Sequence, residues 1–72
     1  MWVRSQDNKV LEDVNGFLIS VNNTKEIYGR VNIETVIKLG TYESEKRAFE
    51  VLDDIEKLIG ARIRDVYKMP DI

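Results

Sequence analysis

The chain contains neither cysteine nor histidine, and it has a single proline among its 72 residues. Without cysteine it can form no disulfide and no thiolate metal site. Without histidine it lacks the commonest general acid–base group, and Ser–His or Cys–His nucleophilic arrangements are excluded. A zinc site would need carboxylate ligands alone, which is unusual. We therefore expect no catalytic residues, no metal, no cofactor and no small-molecule substrate, so that the protein is not an enzyme.

Long apolar runs and a charge excess of one sign are also missing. Eleven basic and 13 acidic residues give a net charge of −2, which favours bulk attraction neither to nucleic acid nor to anionic membranes. No apolar segment approaches the ~20 residues that span a bilayer. The N-terminal residues turn polar after Val3, unlike a signal peptide. A cytoplasmic protein with no membrane partner is expected.

The length predicts a single domain over residues 1–72. A chain of this size buries only about 60% of the surface that its unfolded form exposes. Small domains of this kind usually need disulfides, a metal or a partner subunit. Because the first two are excluded, the composition favours a homo-oligomer or a complex with another protein.

The first 42 residues predict antiparallel strands, because bulky and polar residues alternate between short turn sequences. The predicted strands are residues 1–4, 9–14, 17–21, 26–31 and 35–42. Residues 5–8, SQDN, have turn composition, with a short polar binding loop as the alternative. Asn15-Gly16 predicts a type I′ hairpin turn. Phe17, Ile19 and Val21 share one strand face, which we expect to face the core.

Residues 44–60 predict an amphipathic helix. Ser44 suits the N-cap, Glu45 suits the positive end of the helix dipole, and Gly60 suits a C-terminal stop. One stripe about 120° wide carries the apolar residues Ala48, Val51, Leu52, Ile55, Leu58 and Ile59. This pattern is typical of a helix that covers one face of a sheet.

Residues 62–69 alternate again and predict a short last strand, which Pro70 ends because it lacks a ladder N–H. A run of strands followed by one helix favours the α+β class. The predicted fold is therefore a small antiparallel sheet of about five strands, with one amphipathic helix packed on one face and a short C-terminal strand.

Three stretches, MWVRSQDNKVLEDVN, LGTYESEKRAFEVLDDI and VYKMP, together resemble a family of small uncharacterised proteins of Gram-positive bacteria and their prophages. Members of that family begin with an IRSQDK start, continue through an LG-Y-S-E-E-A-VLD-I block and close on MP. The resemblance covers both ends and the centre, whereas VNNTKEIYGRVNIETVI matches only loosely. It implies a cytoplasmic accessory protein of prophage or mobile-element type, and nothing catalytic.

Two apolar residues are candidates for a protein interface. Phe49 lies about 100° from the centre of the apolar helix stripe, and Leu18 lies opposite the predicted core face of its strand. Scattered surface apolar residues need no explanation, but a contiguous patch marks an interface. With Phe49 on the flank, Phe49→Asp is expected to change association and to leave the fold intact.

A nucleic-acid face is the alternative function. Trp2 with Arg4, and Tyr28 with Arg30, repeat an aromatic–x–Arg pattern that places both members on one strand face. The basic residues Arg62, Arg64 and Lys68 extend this set. Stacking aromatics interleaved with cations bind single-stranded nucleic acid. The structural alternative is that the aromatics are partly buried and the arginines solvate a sheet edge, and the acidic balance favours it.

The helix also carries four carboxylates: Glu50, Asp53, Asp54 and Glu56. Their directions spread over roughly 160° of the helix, so they do not converge on one metal ion. We interpret them as a solvated acidic face. The sequence as a whole predicts a self-associating, non-enzymatic interaction module, with nucleic-acid binding as the alternative; it leaves the partner, the oligomer number and the strand order open.

Overall fold

A computed structural model describes residues 1–72 as six short strands and one helix. The elements are β1 (Trp2–Arg4), β2 (Leu11–Asp13), β3 (Gly16–Ile19), β4 (Glu26–Arg30), β5 (Val36–Thr41), α1 (Glu45–Gly60) and β6 (Tyr67–Lys68). The predicted α+β class is confirmed. At 16 residues and with a charged outer face, α1 is not long or apolar enough to cross a membrane.

The strands form two three-stranded sheets rather than the single predicted sheet. The first sheet has the order β2-β1-β6 and the second has the order β3-β4-β5. All pairs are antiparallel except β1 with β6, which run parallel because the chain returns to β1 through the helix. The two sheets and α1 enclose one core.

The Asn15-Gly16 step joins the two sheets, and the predicted hairpin between β2 and β3 is wrong. Neither residue has a positive φ, which a type I′ turn requires. The Val14 N–H donates to the Met1 carbonyl in the first sheet, and the Asn15 N–H donates to the Arg30 carbonyl in the second. Burial of the Val14 side chain in the shared core therefore sets the direction of the chain here.

Residues 5–8, SQDN, lie in the hairpin turn between β1 and β2, as predicted. Asn8 adopts a left-handed φ of 68°. The buried Ser5 hydroxyl donates to the Asp7 carboxylate over 2.6 Å and accepts from the Val10 N–H. Hydrogen bonds from Ser5 and from the Lys9 N–H lower the pKa of Asp7, since they favour its charged form. The polar groups of this loop are thus occupied in holding the turn.

Nine buried apolar residues form the core, and both sheets, α1 and the C-terminal segment contribute to it. They are Val3, Val14, Ile27, Leu39, Tyr42, Ala48, Val51, Ile55 and Met69. Phe17 and Ile19 pack against this core, as predicted. Val21, which we expected beside them, is 93% exposed because β3 ends at Ile19 and the Ser20 hydroxyl begins a turn by accepting from the Asn22 N–H.

Gly29 lies where core side chains pack directly over the backbone of β4. A Cβ atom at this position would come within 2.8 Å of Val14 Cγ1 and 2.9 Å of Leu39 Cδ1. Both contacts are closer than carbon atoms tolerate, so a side chain here would displace two buried residues. Glycine at position 29 therefore allows the sheet junction and β5 to meet over the middle of β4.

The start and the buried face of α1 follow the prediction. The Ser44 hydroxyl accepts from the Arg47 N–H at 3.0 Å and caps the helix. Ala48, Val51 and Ile55 are buried against the sheets. Ile59 was predicted to share this face, but it is 54% exposed because the last turn of the helix overhangs a groove instead of a strand.

The helix ends through Arg62 rather than through Gly60. Gly60 is the last helical residue and has no positive φ, whereas Arg62 adopts a left-handed φ of 57°. The Arg62 N–H donates to the Ile59 carbonyl and the Ile63 N–H donates to the Leu58 carbonyl, which together form a Schellman motif. This turn explains why the predicted strand over residues 62–69 shrinks to Tyr67–Lys68.

Arg62→Gly is expected to stabilise the protein by about 1 kcal/mol, because a left-handed conformation strains every residue with a Cβ atom. Gly60→Ala is expected to stabilise it by about 0.5 kcal/mol, since the helical position is open and alanine favours helix. Urea denaturation of both variants measures these changes, with Arg62→Ala as the control that removes charge but keeps the strain. If Gly60→Ala destabilised the protein, Gly60 rather than Arg62 would be the left-handed residue.

Candidate interaction surface

An open groove of about 590 Å³ lies between the N-terminal strand, the sheet junction and the end of α1. Five apolar side chains that are half-buried or exposed line it: Met1, Trp2, Phe17, Ile59 and Ile63. Four exposed polar side chains also line it, and we call them the rim: Asp13, Asn15, Arg64 and Asp65. We call this site the Trp2 groove. It brings together residues from both ends of the chain.

The strand β1 directs Trp2 into the groove. Val3 is fully buried, so its neighbour Trp2 points to the opposite face of the sheet and remains 50% exposed. The Met1 amino group donates to the Asp13 carboxylate at 3.0 Å and to the Val14 carbonyl at 3.1 Å. These two bonds hold the start of β1 against β2, so the indole projects from a fixed strand.

The end of α1 supplies the other wall. Ile59 lies in the last helical turn, and the Schellman hydrogen bond of Ile63 to Leu58 turns the chain back beside it. Sequence reasoning missed this role, because it placed Ile59 in the core stripe and Ile63 on a strand face. The periodicity of the stripe could not show which of its six apolar positions the strands would cover.

The apolar surface continues along the flank of the helix. A second, shallower depression of about 360 Å³ shares Phe17 and Ile59 with the Trp2 groove and adds Leu52 and Ile55. Only the edge of Ile55 contributes, since it is 1% exposed. Contiguous apolar surface of this kind marks a site of association rather than scattered exposure.

Two charged residues on the rim have no partner inside the protein. The four ion pairs join Met1 to Asp13, Lys38 to Glu26, Arg47 to Glu50, and Lys68 to Asp71. Arg64 and Asp65 belong to none of them, and both side chains are exposed. Opposite charges therefore stand next to each other at the edge of the apolar groove.

The two residues that the sequence suggested for an interface lie outside the Trp2 groove. Phe49 is 46% exposed on α1, on the core side of the second sheet. Leu18 is half-buried in β3 and pairs with Tyr28, and it faces away from the core because its neighbours Phe17 and Ile19 face toward it. The structure thus places Phe49 and Leu18 on opposite sides of the second sheet.

The aromatic–arginine pairs lie on two different sheets. Trp2 and Arg4 belong to β1 in the first sheet, whereas Tyr28 and Arg30 belong to β4 in the second. Arg4 donates to the Asn8 carbonyl at 3.0 Å, and the Tyr28 hydroxyl donates to Glu26 at 3.2 Å. The structure therefore does not assemble the four side chains on one continuous strand face.

The remaining basic residues are also dispersed. Arg62 forms the helix end, Arg64 lies on the groove rim and Lys68 belongs to β6. The Lys68 ammonium donates to the Gln6 and Met69 carbonyls and to the Asp71 carboxylate, so it fastens the C-terminal segment. Of the proposed nucleic-acid set, only Trp2 and Arg64 share a site.

The titratable groups outside the Trp2 groove form no second candidate site. Glu50, Asp53, Asp54 and Glu56 are all exposed, and no group of carboxylates is placed to hold a metal ion. Burial, with a smaller effect from nearby Tyr67, raises the pKa of Tyr42 to about 12. Its hydroxyl therefore stays protonated at neutral pH and donates to the Pro70 carbonyl at 3.0 Å.

No family model matches the chain, and no curated protein and no solved structure matches it either. The resemblance to the Gram-positive and prophage family consequently stays a prediction.

Proposed function

We propose that the protein is a non-enzymatic interaction module that binds a second copy of itself through the Trp2 groove. The observation that carries this proposal is the set of apolar side chains that line the groove, which we call its floor; of these, Trp2, Ile59 and Ile63 are each about half exposed. Half-exposed aromatic and aliphatic side chains at the centre of a concave surface are typical anchors of protein interfaces.

The balance between core and surface supports a second copy as the occupant. Nine apolar residues form the core, while ten large apolar side chains remain exposed. A standard interface buries about 800 Å² per partner, which is roughly a sixth of the 5040 Å² of this chain. Association across the Trp2 groove would add to the stability of a small domain that has no disulfide.

The arrangement of polar groups supports a non-enzymatic role. General acid–base chemistry needs a titratable group within hydrogen-bond reach of the reacting atoms. Of the two carboxylates that line the Trp2 groove, Asp13 is engaged by the Met1 amino group and Asp65 is exposed to water, so neither is held in place as a general base. The resemblance noted above supports a cytoplasmic accessory role of prophage or mobile-element type.

Ile59→Asp is expected to keep the fold and to weaken self-association at least tenfold, because a charge would enter the centre of the interface. Sedimentation velocity from about 1 µM to about 1 mM protein measures the dissociation constant over the relevant range. Wild-type protein should pass from monomer to dimer, and the transition should persist at high salt because the floor is apolar.

Phe49→Asp is the matched control, since Phe49 lies on the same helix with similar exposure but outside the groove. Its dimerisation should equal that of the wild type. Dissociation by Phe49→Asp and not by Ile59→Asp would move the interface to the residue that the sequence suggested. A wild-type chain that stays monomeric throughout would refute the proposal.

A further inference from the structure

We infer that the self-association is two-fold symmetric and that Arg64 of each copy pairs with Asp65 of the other at the rim of the Trp2 groove. This inference rests on the proposed function, because it assigns a geometry to the same interface. It names a charge contact that neither the core nor the fold of a single chain requires.

The first observation is that Arg64 and Asp65 are adjacent, exposed and without an ion-pair partner in their own chain. The other acid on the rim, Asp13, already forms an ion pair with the Met1 amino group at 3.0 Å. The rim therefore presents one free positive and one free negative charge, adjacent in the sequence, in the same groove as the apolar floor.

The second observation is the symmetry that such a pair permits. In a two-fold dimer the same patch meets itself, so the patch has to be self-complementary. A rim with only positive charge would repel its copy, whereas adjacent Arg64 and Asp65 become two reciprocal pairs when one copy is rotated onto the other. The charges then fix the register of a contact whose affinity comes from the apolar floor.

Charge reversal tests the pairing. Arg64→Asp leaves acids at both positions and Asp65→Arg leaves arginines at both, so each variant alone should dimerise at least about tenfold more weakly than wild type. Mixed in equal amounts, the two variants should form a heterodimer with every pair restored, and dimerisation should return to within about threefold of wild type. Sedimentation velocity of each variant and of the mixture gives these constants, and circular dichroism checks that both are folded.

The outcomes distinguish the reciprocal ion pair from the self-association itself. Rescue by mixing supports the reciprocal pair. Wild-type dimerisation that neither reversal alters would overturn the pairing and leave the self-association in place, whereas a monomeric wild type would overturn both. A single-stranded DNA oligonucleotide serves as the last probe: DNA binding that Asp65→Arg strengthens, with no rescue in the mixture, would assign the rim to nucleic acid instead.

Discussion

Ile55→Asp is expected to unfold the protein. Ile55 is 1% exposed and lies in the core that both sheets share with α1. An aspartate there would place a carboxylate among apolar side chains with no partner, which costs several kcal/mol even if the group is protonated. A 72-residue domain has a total stability of roughly 4 to 11 kcal/mol. Circular dichroism at 25 °C should therefore show loss of the helix signal.

Ile59→Asp is the control for this result, because it introduces the same charge one helical turn later. Ile59 lies in the groove and is half exposed, so this variant should keep the wild-type spectrum. A folded Ile55→Asp protein would mean that the helix presents a different face to the sheets.

Met69→Ala is expected to lower the free energy of unfolding by about 2 to 5 kcal/mol. Met69 is fully buried although it lies three residues from the end of the chain, and its N–H donates to the Arg4 carbonyl. Shortening the side chain to alanine would leave a cavity beneath β6, which is an edge strand of the first sheet. The midpoint of urea unfolding should fall accordingly.

Ile72→Ala provides the comparison within the same segment. The Ile72 side chain is 87% exposed. The backbone oxygen of Ile72 accepts two hydrogen bonds from the Arg47 guanidinium, and these do not depend on the side chain. Removing the side chain should change the free energy of unfolding by less than about 0.5 kcal/mol. Equal effects at the two positions would show that the C-terminal segment does not dock through Met69.

The helix was predictable because its signals are local. The Ser44 cap and the spacing of Ala48, Val51 and Ile55 act within a few residues of one another, and the structure confirms them. The position of Ile59 depends on how far the strands extend beneath the helix. Periodicity therefore identified the apolar stripe but could not tell which part of it would be covered.

The division into two sheets was not predictable from local signals. Asn15-Gly16 has a strong hairpin composition, yet the chain continues past it into a second sheet because Val14 is buried and β3 finds its partner in β4. The pairing of β1 with β6 joins residues more than 60 positions apart. Such contacts are decided by the packing of the whole core, which turn chemistry does not encode.

The Trp2 groove was only partly foreseeable. The sequence singled out Trp2 and Arg64, but it placed them in a candidate nucleic-acid face together with Tyr28 and Arg30. In the fold, the helix end brings Ile59, Ile63 and Arg64 beside Trp2, while Tyr28 and Arg30 lie on the other sheet. This arrangement of side chains depends on the left-handed turn at Arg62. Glycine usually marks such a turn, and this position has arginine instead.

Fluorescence of Trp2 shows directly whether the groove is the interface, because Trp2 is the only tryptophan in the chain and lies in the groove. The emission spectrum would be recorded over the protein concentrations at which sedimentation shows the mass to change. Association through the Trp2 groove predicts that the emission maximum shifts to shorter wavelength in step with the doubling of mass, since the indole leaves water. An emission maximum that stays constant while the mass doubles would contradict the groove as the interface.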